Sequence, residues 1–229
     1  MWSLFWYNIH MKIENIKVFG IIDALRGMRN PLNSWAKSDS TCEYDSTDGH
    51  IIKLELGEND KKLCSALVHG GPPHRKFFRQ IPVIMDITAP TYWWAEMDTY
   101  KIGTTRNSCS LQHKGDSRDF TADDFTFEDQ GTLGVFDYAE MLNDQKVVID
   151  ILNKWRNKYI DSGKNNYSLF RAIRQFMPMG YNYKSTWSGT YENLINIYEW
   201  RRNHKLSEWH VFCDEIEKLP GMDVLLNAI

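Results

Sequence analysis

Residues 88–112 read TAPTYWWAEMDTYKIGTTRNSCSLQ, and the rest of the chain is interpreted outward from this stretch. It follows an apolar run at residues 81–87 that predicts a strand, and residues 88–90 (Thr-Ala-Pro) then give a helix start. The aromatic-rich pattern predicts a helix to about Ile102, and Gly103 ends it in a polar loop. A strand that feeds a helix and then a polar loop is a favourable place for a ligand site.

Composition and charge exclude several classes of protein. The chain has 229 residues, of which 42% are hydrophobic and 25% charged, enough for one substantial core or two small ones. The net charge of −3 argues against a general nucleic-acid binder, which usually carries a basic patch. Residues 1–10 are apolar only briefly, so they predict an extension, non-native or disordered, rather than a signal peptide or membrane span. We therefore expect a cytoplasmic protein without nucleic-acid or membrane partners.

The cysteines and histidines predict no metal site. The four cysteines are far apart, form no C-x-x-C pair and are typical of free thiols in a reducing compartment. His204 and His210 are six positions apart and do not form an H-E-x-x-H pair. A histidine-based hydrolase is disfavoured as well, because the Gly-Gly-Pro-Pro string at residues 70–73 is neither a G-x-S-x-G elbow nor a P-loop.

Hydrophobic periodicity along the rest of the chain predicts both strands and helices. Strands are predicted at residues 16–22 and 50–56, and helices at residues 24–28, 59–68, 144–160, 167–177, 190–202 and 207–219. Residues 34–49 and 112–132 are predicted to be loops, and residues 187–189 a turn. With no internal repeat or linker, the chain predicts an α+β fold: one mixed domain over residues 11–229, with a central sheet packed against long helices.

A second pattern with fixed spacing lies in the last third of the chain. It consists of Arg174, Pro178, Trp187, Asn196 and Arg201. Together with the layout of residues 88–112, it resembles the flavin-dependent thymidylate synthases, and the intervals match that family without a gap. In the family a strand runs into an Ala-Pro helix start, the helix ends in an Arg-His-Arg signature, and a Ser-x-Asn-Glu-x-Ser-x-Arg loop holds the pyrimidine nucleotide. The resemblance covers roughly residues 60–215.

The resemblance implies site residues by position. The implied nucleotide-binding residues are Ser110 at the phosphate, Arg174, and Arg201 at the uracil carbonyl region. The implied cofactor-binding residues are Tyr100, Lys101, Asn107 and Asn196. Each also has a purely structural interpretation, such as a surface ion pair, a polar helix position or a turn, and only their joint spacing favours the functional one.

The chain also departs from the family's motifs. Thr99-Tyr100-Lys101 stands where the family has Arg-His-Arg, and Ser108, Leu111 and Gln112 stand where the nucleotide loop has Glu, Gly and Arg. Further upstream, His74-Arg75-Lys76 replaces Phe-Glu-His and exchanges an acid for a base. Arg75, Lys76 and Arg106 are therefore the candidates for supplying the missing positive charge.

The activity implied by the resemblance is methylation of dUMP, or a related pyrimidine nucleotide, at C5. Methylenetetrahydrofolate would be the carbon donor, reduced FAD the hydride donor and NADPH the source of electrons. A homotetramer is implied in the same way. The alternative is a catalytically inactive protein of the same fold that binds a nucleotide or a protein partner, as the altered signature would allow.

Overall fold

The computed structural model describes residues 11–111, 115–128 and 133–227, and its fold is mixed α+β as predicted. The predicted extension at residues 1–10 and Gln112 lie outside the described residues. The strands are β1 (Lys12–Val18), β2 (Thr41–Tyr44), β3 (Ile51–Glu55), β4 (Pro82–Pro90), β5 (Thr105–Ser108) and β6 (Asn182–Thr190). The helices are α1 (Ile21–Gly27), α2 (Glu58–His69), α3 (Thr91–Met97), α4 (Val135–Asp161), α5 (Tyr167–Phe176), α6 (Tyr191–Arg201), α7 (Ser207–Glu217) and α8 (Met222–Leu226).

The strands form two sheets. Four of them pair in the order β1–β4–β6–β5, which makes β1 and β5 the edge strands. The other two, β2 and β3, form an antiparallel pair in which Thr41 lies opposite Glu55, with an irregularity between Glu43 and Tyr44. The prediction of a loop over residues 34–49 was therefore wrong where β2 forms.

The chain divides into two compact units. Of the described residues, the first contains 11–12, 88–97, 108–111, 115–128 and 133–185, and the second contains 13–87, 98–107 and 186–227. The single domain predicted from the sequence stays a prediction.

In the first unit, α4 and α5 pack against each other over an aromatic core. Phe125, Leu152, Phe170 and Ile173 are the most deeply buried members of this cluster. Asn166 begins α5 by accepting a 3.2 Å hydrogen bond from the Ser168 backbone N–H, as an N-cap residue does. The amphipathic stripe of α5 therefore gave the correct helix, whereas α4 begins nine residues before the predicted position.

In the second unit, α6 packs against α7 and against the short 3-10 helix Lys76–Gln80. Tyr191, Ile195, Trp209 and Phe212 are completely buried there. Thr190 and Asn193 form a capping box at the start of α6, so its first turn has a fixed direction. This turn faces the segment between α3 and β5, because the Asn193 side chain donates a 2.7 Å hydrogen bond to the Ile102 carbonyl.

The turn predicted at residues 187–189 was wrong, because these residues belong to β6. The sequence did not predict this strand because its buried positions are Ser185, Trp187 and Gly189, which do not form a regular alternation of apolar residues. Glycine is required at position 189, since a Cβ there would lie 2.4 Å from the Trp187 ring.

The boundaries predicted around residues 88–112 also need correction. β4 runs on to Pro90, so α3 begins at Thr91, and it ends at Met97 instead of near Ile102. The predicted polar loop contains β5, whose side chains are polar because an edge strand is partly exposed to solvent.

Candidate functional site

The second unit contains a pocket of about 550 Å³. It is formed by the segment before β4, the segment between α3 and β5, and the first turns of α6. The Asn193–Ile102 hydrogen bond joins the last two of these elements, and the capping box at the start of α6 holds the Asn193 side chain. Gly103 allows the chain to turn there with a positive φ of 76°. The wall of the pocket is therefore held by backbone and amide contacts, independently of any ligand.

Positive charge dominates the pocket lining. Of the described residues that line it, Arg75, Arg79 and Lys101 are cationic and Glu192 is anionic. Arg79 and Lys101 are exposed, and an Arg79 Nη2 lies 3.5 Å from the Pro72 carbonyl. A pocket of this size lies within the usual range for small-molecule sites, roughly 300–1,000 Å³. Its charge favours a ligand that carries an anionic group.

Arg75 differs from the other two cations because it is buried, with 9% of its surface exposed. Its Nε lies 3.3 Å from Glu192, and its Nη1 lies 3.5 Å from an oxygen of Glu199. Both distances exceed the 2.7–2.9 Å that is typical of a strong charge-assisted hydrogen bond. The two carboxylates therefore orient the guanidinium without fully using its donors.

Arg201 lies beside the pocket in a clamp made by two aromatic residues. Its Nε donates a 2.9 Å hydrogen bond to the Tyr100 hydroxyl oxygen, and Tyr100 lines the pocket. The guanidinium carbon lies 4.8 Å from the Trp209 ring centre and 5.5 Å from that of Tyr100. Cation–π and hydrogen-bond contacts of this kind fix the direction of a planar guanidinium.

The structure brings several residues predicted from the sequence into this one region. Tyr100, Lys101 and Asn196, predicted to bind the cofactor, all line the pocket. Arg201, predicted to contact the nucleotide, bonds to Tyr100.

The remaining predicted residues lie elsewhere in the fold. Asn107 is exposed on β5 and belongs to the second unit. Ser110 and Arg174 belong to the first unit, where Ser110 is half-buried and Arg174 is exposed near the end of α5. The roles of all seven residues stay predictions.

Among the three candidates for the missing charge, only Arg75 lines this pocket within the described residues. Lys76 lines a second cavity of about 340 Å³, together with His74. Arg106 lies 3.0 Å from a carboxylate oxygen of Asp98. Sequence reasoning missed Glu192 as the partner of Arg75, since the two are 117 positions apart and no motif links them.

One group of side chains in the described residues has the composition of a metal site. Ligand atoms of Asp45, Asp48 and His50 lie within 4.8 Å of one another. Asp48 is hydrogen-bonded by Lys17 and His50, which hold its pKa well below the ordinary value. Asp45 accepts from the Thr47 backbone at 2.8 Å. These contacts account for both carboxylates without a metal ion.

Comparison with known proteins gives the fold and leaves the family open. No protein-family model matches the chain, and no curated protein matches it. Thymidylate synthase X from Helicobacter pylori, crystallised with FAD and dUMP, matches with a TM-score of 0.64 at 17% identity over 94% of this chain and 96% of that one. A second structure of the Helicobacter pylori enzyme with FAD and dUMP matches with a TM-score of 0.62 at 18% identity, covering 93% and 97%.

A third solved structure is the UMP/dUMP methylase PolB from Streptomyces cacaoi, bound to 5-Br dUMP. It has a TM-score of 0.66 at 13% identity and covers 95% of this chain and 93% of that chain. No helix among the described residues is both long enough and hydrophobic enough to span a bilayer. At identities this low the likeness establishes architecture only, and the chain has the fold of thymidylate synthase X.

Proposed function

We propose that this chain is a flavin-dependent enzyme that methylates dUMP, or a related pyrimidine nucleotide, at C5. Methylenetetrahydrofolate would supply the carbon and NADPH the electrons, and the protein would act in the cytoplasm as a homotetramer. The proposal is carried by one observation: Tyr100, Lys101 and Asn196, implied by the family resemblance, line one cationic pocket. Solved structures of the same fold with FAD and dUMP support it.

The residues of the pocket fit a flavin with respect to charge and hydrogen bonding. Lys101 and Arg79 are exposed cations suited to phosphate oxygens, and the Asn196 amide can both donate to and accept from a ring amide edge. Tyr100 offers an aromatic face beside them. Reduced FAD, when bound, supplies a hydride.

The protein's own contribution would be binding, orientation and electrostatic stabilisation. The described lining contains no cysteine or serine that could act as a nucleophile. Positive charge beside a bound pyrimidine would instead stabilise the negative charge that develops on its ring. Arg201 would act from the edge of the pocket, where Tyr100 and Trp209 fix its guanidinium.

The alternative is a protein of this fold that binds a nucleotide without catalysis. It is favoured by one specific observation: the Nε donor of Arg201 is already used by Tyr100, a residue of the altered signature. A guanidinium held in this way has fewer donors for a substrate.

The visible absorption spectrum of the purified protein, with FAD and then dUMP added, separates the two functions. The enzyme proposal expects a bound flavin band that shifts when dUMP is added, followed by dTMP formation with methylenetetrahydrofolate and NADPH. Binding of dUMP with no flavin band and no turnover supports the alternative. Light scattering of the same sample tests the tetramer.

A further inference from the structure

Arg75 has unused donor capacity at the inner wall of the pocket. Its Nε is within 3.3 Å of Glu192 and its Nη1 is 3.5 Å from Glu199, while Nη2 has no hydrogen-bond acceptor among the described residues. A guanidinium carries five N–H donors in a planar fork. Because Arg75 lines the pocket, the unused end of this fork is available to a bound molecule.

Burial makes this guanidinium more effective than the exposed cations. Arg75 is only 9% exposed, whereas Arg79 and Lys101 lie in the solvated part of the lining. Solvent and salt screen an exposed charge strongly and a buried charge much less. Arg75 is also held in direction by Glu192 and Glu199, so a ligand would lose little entropy in ordering it.

The fork geometry favours one class of ligand atom. A planar guanidinium matches the paired oxygens of phosphate or carboxylate, and a lysine does not provide that bidentate fit. Arg79 and Lys101 line the same pocket and add two positive charges. The combination is suited to a phosphate group, which carries more negative charge than a carboxylate.

We propose that Arg75 is the residue that anchors a phosphate group in this pocket, with Glu192 and Glu199 as the residues that position it. The inference rests on the proposed function in so far as the phosphate belongs to a pyrimidine nucleotide or to a flavin. In this assignment Arg75 supplies a guanidinium group, which the sequence Thr99-Tyr100-Lys101 does not contain. Lys76 and Arg106, the other two candidates, have no such role.

Calorimetry with matched ligand pairs tests the assignment. dUMP is compared with deoxyuridine, and FAD with riboflavin, because each pair differs by its phosphate-bearing part. The wild-type protein is expected to prefer the phosphorylated member of one pair, which identifies the source of the phosphate. Arg75→Gln is expected to weaken binding of that member by about tenfold to a hundredfold and to leave its partner within about twofold.

Lys76→Gln is the matched control. It removes the same charge one position along the chain, but Lys76 lines the other cavity. Its affinity for the phosphorylated ligand is expected to stay within about twofold of the wild type, as screening of an exposed charge predicts. An equal loss in Lys76→Gln and Arg75→Gln would mean a general effect of net charge and overturn the assignment.

The double variant Arg75→Gln/Glu192→Gln covers the case in which Arg75→Gln alone fails to fold. Two amides can still form a hydrogen bond, and the more buried of the two carboxylates beside Arg75 is no longer left unpaired. A folded double variant that lacks the preference for phosphate supports the assignment. A folded double variant that keeps the wild-type preference makes Arg75 a structural residue and overturns it.

The wild-type protein separates this inference from the proposed function. If it binds neither dUMP nor FAD, the proposed function fails, and inorganic pyrophosphate becomes the probe for Arg75. Pyrophosphate binding that Arg75→Gln weakens at least tenfold keeps the anion site, and absence of pyrophosphate binding removes it too. If the wild type binds dUMP or FAD and Arg75→Gln binds equally well, the proposed function stands and the assignment fails.

Discussion

Two buried arginines of the second unit, Arg29 and Arg75, differ in how closely their carboxylate partners bind them. Arg29 is 4% exposed and its Nε donates to Asp60 at 2.8 Å, with its Nη2 2.6 Å from the same oxygen. The other Asp60 oxygen accepts hydrogen bonds from the residue 38–40 loop at 2.7–3.1 Å. Arg75 is 9% exposed, and its contacts with Glu192 and Glu199 are 3.3 and 3.5 Å long.

The difference separates a structural ion pair from a binding residue. Both oxygens of Asp60 accept hydrogen bonds from the protein, so this carboxylate holds Arg29 and the residue 38–40 loop to α2. Arg29 is not among the described residues that line either pocket. Arg75 has comparable burial but faces a pocket with weak partners. Burial of a charge is therefore a poor indicator of function until the hydrogen bonds of its partners are counted.

Removal of Asp60 should have the largest effect on stability. Asp60→Ala is expected to lower the free energy of unfolding by about 3–5 kcal/mol, because Arg29 is left as an unpaired buried charge. The loop donors Ser38 and Ser40 also lose their acceptor. Urea unfolding at pH 7 measures the change.

The control for this variant is Glu58→Gln on the same helix. Glu58 is exposed and lies 3.7 Å from Lys61, so its loss should change the free energy of unfolding by less than about 1 kcal/mol. Similar effects in the two variants would mean that the Arg29–Asp60 pair contributes no more than a surface pair, and the contrast with Arg75 would disappear.

Acid should weaken the same structural pair. Burial raises the pKa of Asp60, but hydrogen bonds from Ser40, Arg29 and Ser38 lower it by more, so the pKa lies below its ordinary value of 3.8. A carboxyl group with a lowered folded-state pKa stabilises the fold fully above the unfolded pKa of about 3.9, and this stabilisation is lost as the pH falls through the folded pKa. Wild type should therefore lose its advantage over Asp60→Asn below about pH 4.

Urea unfolding of both proteins at pH 7 and at pH 3 measures this advantage as a difference in unfolding free energy. Comparing the two cancels the contributions of other carboxylates, such as Asp116 and Asp124, whose pKa values are also lowered. If the difference in unfolding free energy is the same at both pH values, the pKa of Asp60 is the same in the folded and unfolded states, and this prediction is wrong.

Helices were predictable from the sequence where one face carries a regular apolar stripe. The patterns at residues 59–68, 167–177 and 207–219 correspond to α2, α5 and α7 within a few residues. The strands β2, β5 and β6 were not predicted, because edge exposure or a buried Ser-x-Trp-x-Gly face leaves no apolar alternation. A periodic pattern of apolar residues predicts an element whose buried face is apolar, and the faces of these three strands are not regularly apolar.

The sequence related the residues of the candidate site to one another only where they are close in the chain. Tyr100 and Lys101 are neighbours, and Asn196 and Arg201 lie on α6, so spacing was informative for them. The pair of Arg75 with Glu192 depends on how the chain folds, because no pattern within a short window relates positions 117 residues apart. Sequence reasoning named Arg75 as one of three candidates, and among these three only Arg75 lines the pocket within the described residues.

Tyr100 allows a smaller test on a third arginine, Arg201, which is held by a hydroxyl group and an aromatic ring. Tyr100→Phe removes the acceptor 2.9 Å from Arg201 Nε but leaves the contact with Trp209. The free energy of unfolding should fall by about 0.5–1.5 kcal/mol, the usual worth of one hydrogen bond. Thermal and urea unfolding measure it.

Tyr167→Phe is the control for Tyr100→Phe, because the Tyr167 side chain is 51% exposed. It should change the free energy of unfolding by less than about 0.5 kcal/mol. No loss in Tyr100→Phe would show that the Tyr100 hydroxyl group is not needed to hold Arg201, and the alternative function would lose the observation that favours it.

Substitution of Glu199 is expected to give the smallest effect, and it tests the pairing of Arg75 directly. Its side chain is 32% exposed and lies 3.5 Å from Arg75 Nη1, so Glu199→Gln should alter the free energy of unfolding by less than about 1 kcal/mol. Binding of the phosphorylated ligand should nevertheless become about twofold to fivefold tighter, because the amide oxygen of glutamine can still orient the guanidinium whereas the competing negative charge is removed.

Glu215→Gln makes the same change in net charge on α7, where Glu215 pairs with Lys218 away from the pocket lining. Calorimetry with dUMP and FAD compares the two variants at one ionic strength. If both bind more tightly by the same factor, the gain reflects overall charge. If only Glu199→Gln gains affinity, the loose pairing of Arg75 is what keeps its donors available, and the contrast with Arg29 becomes a difference in function.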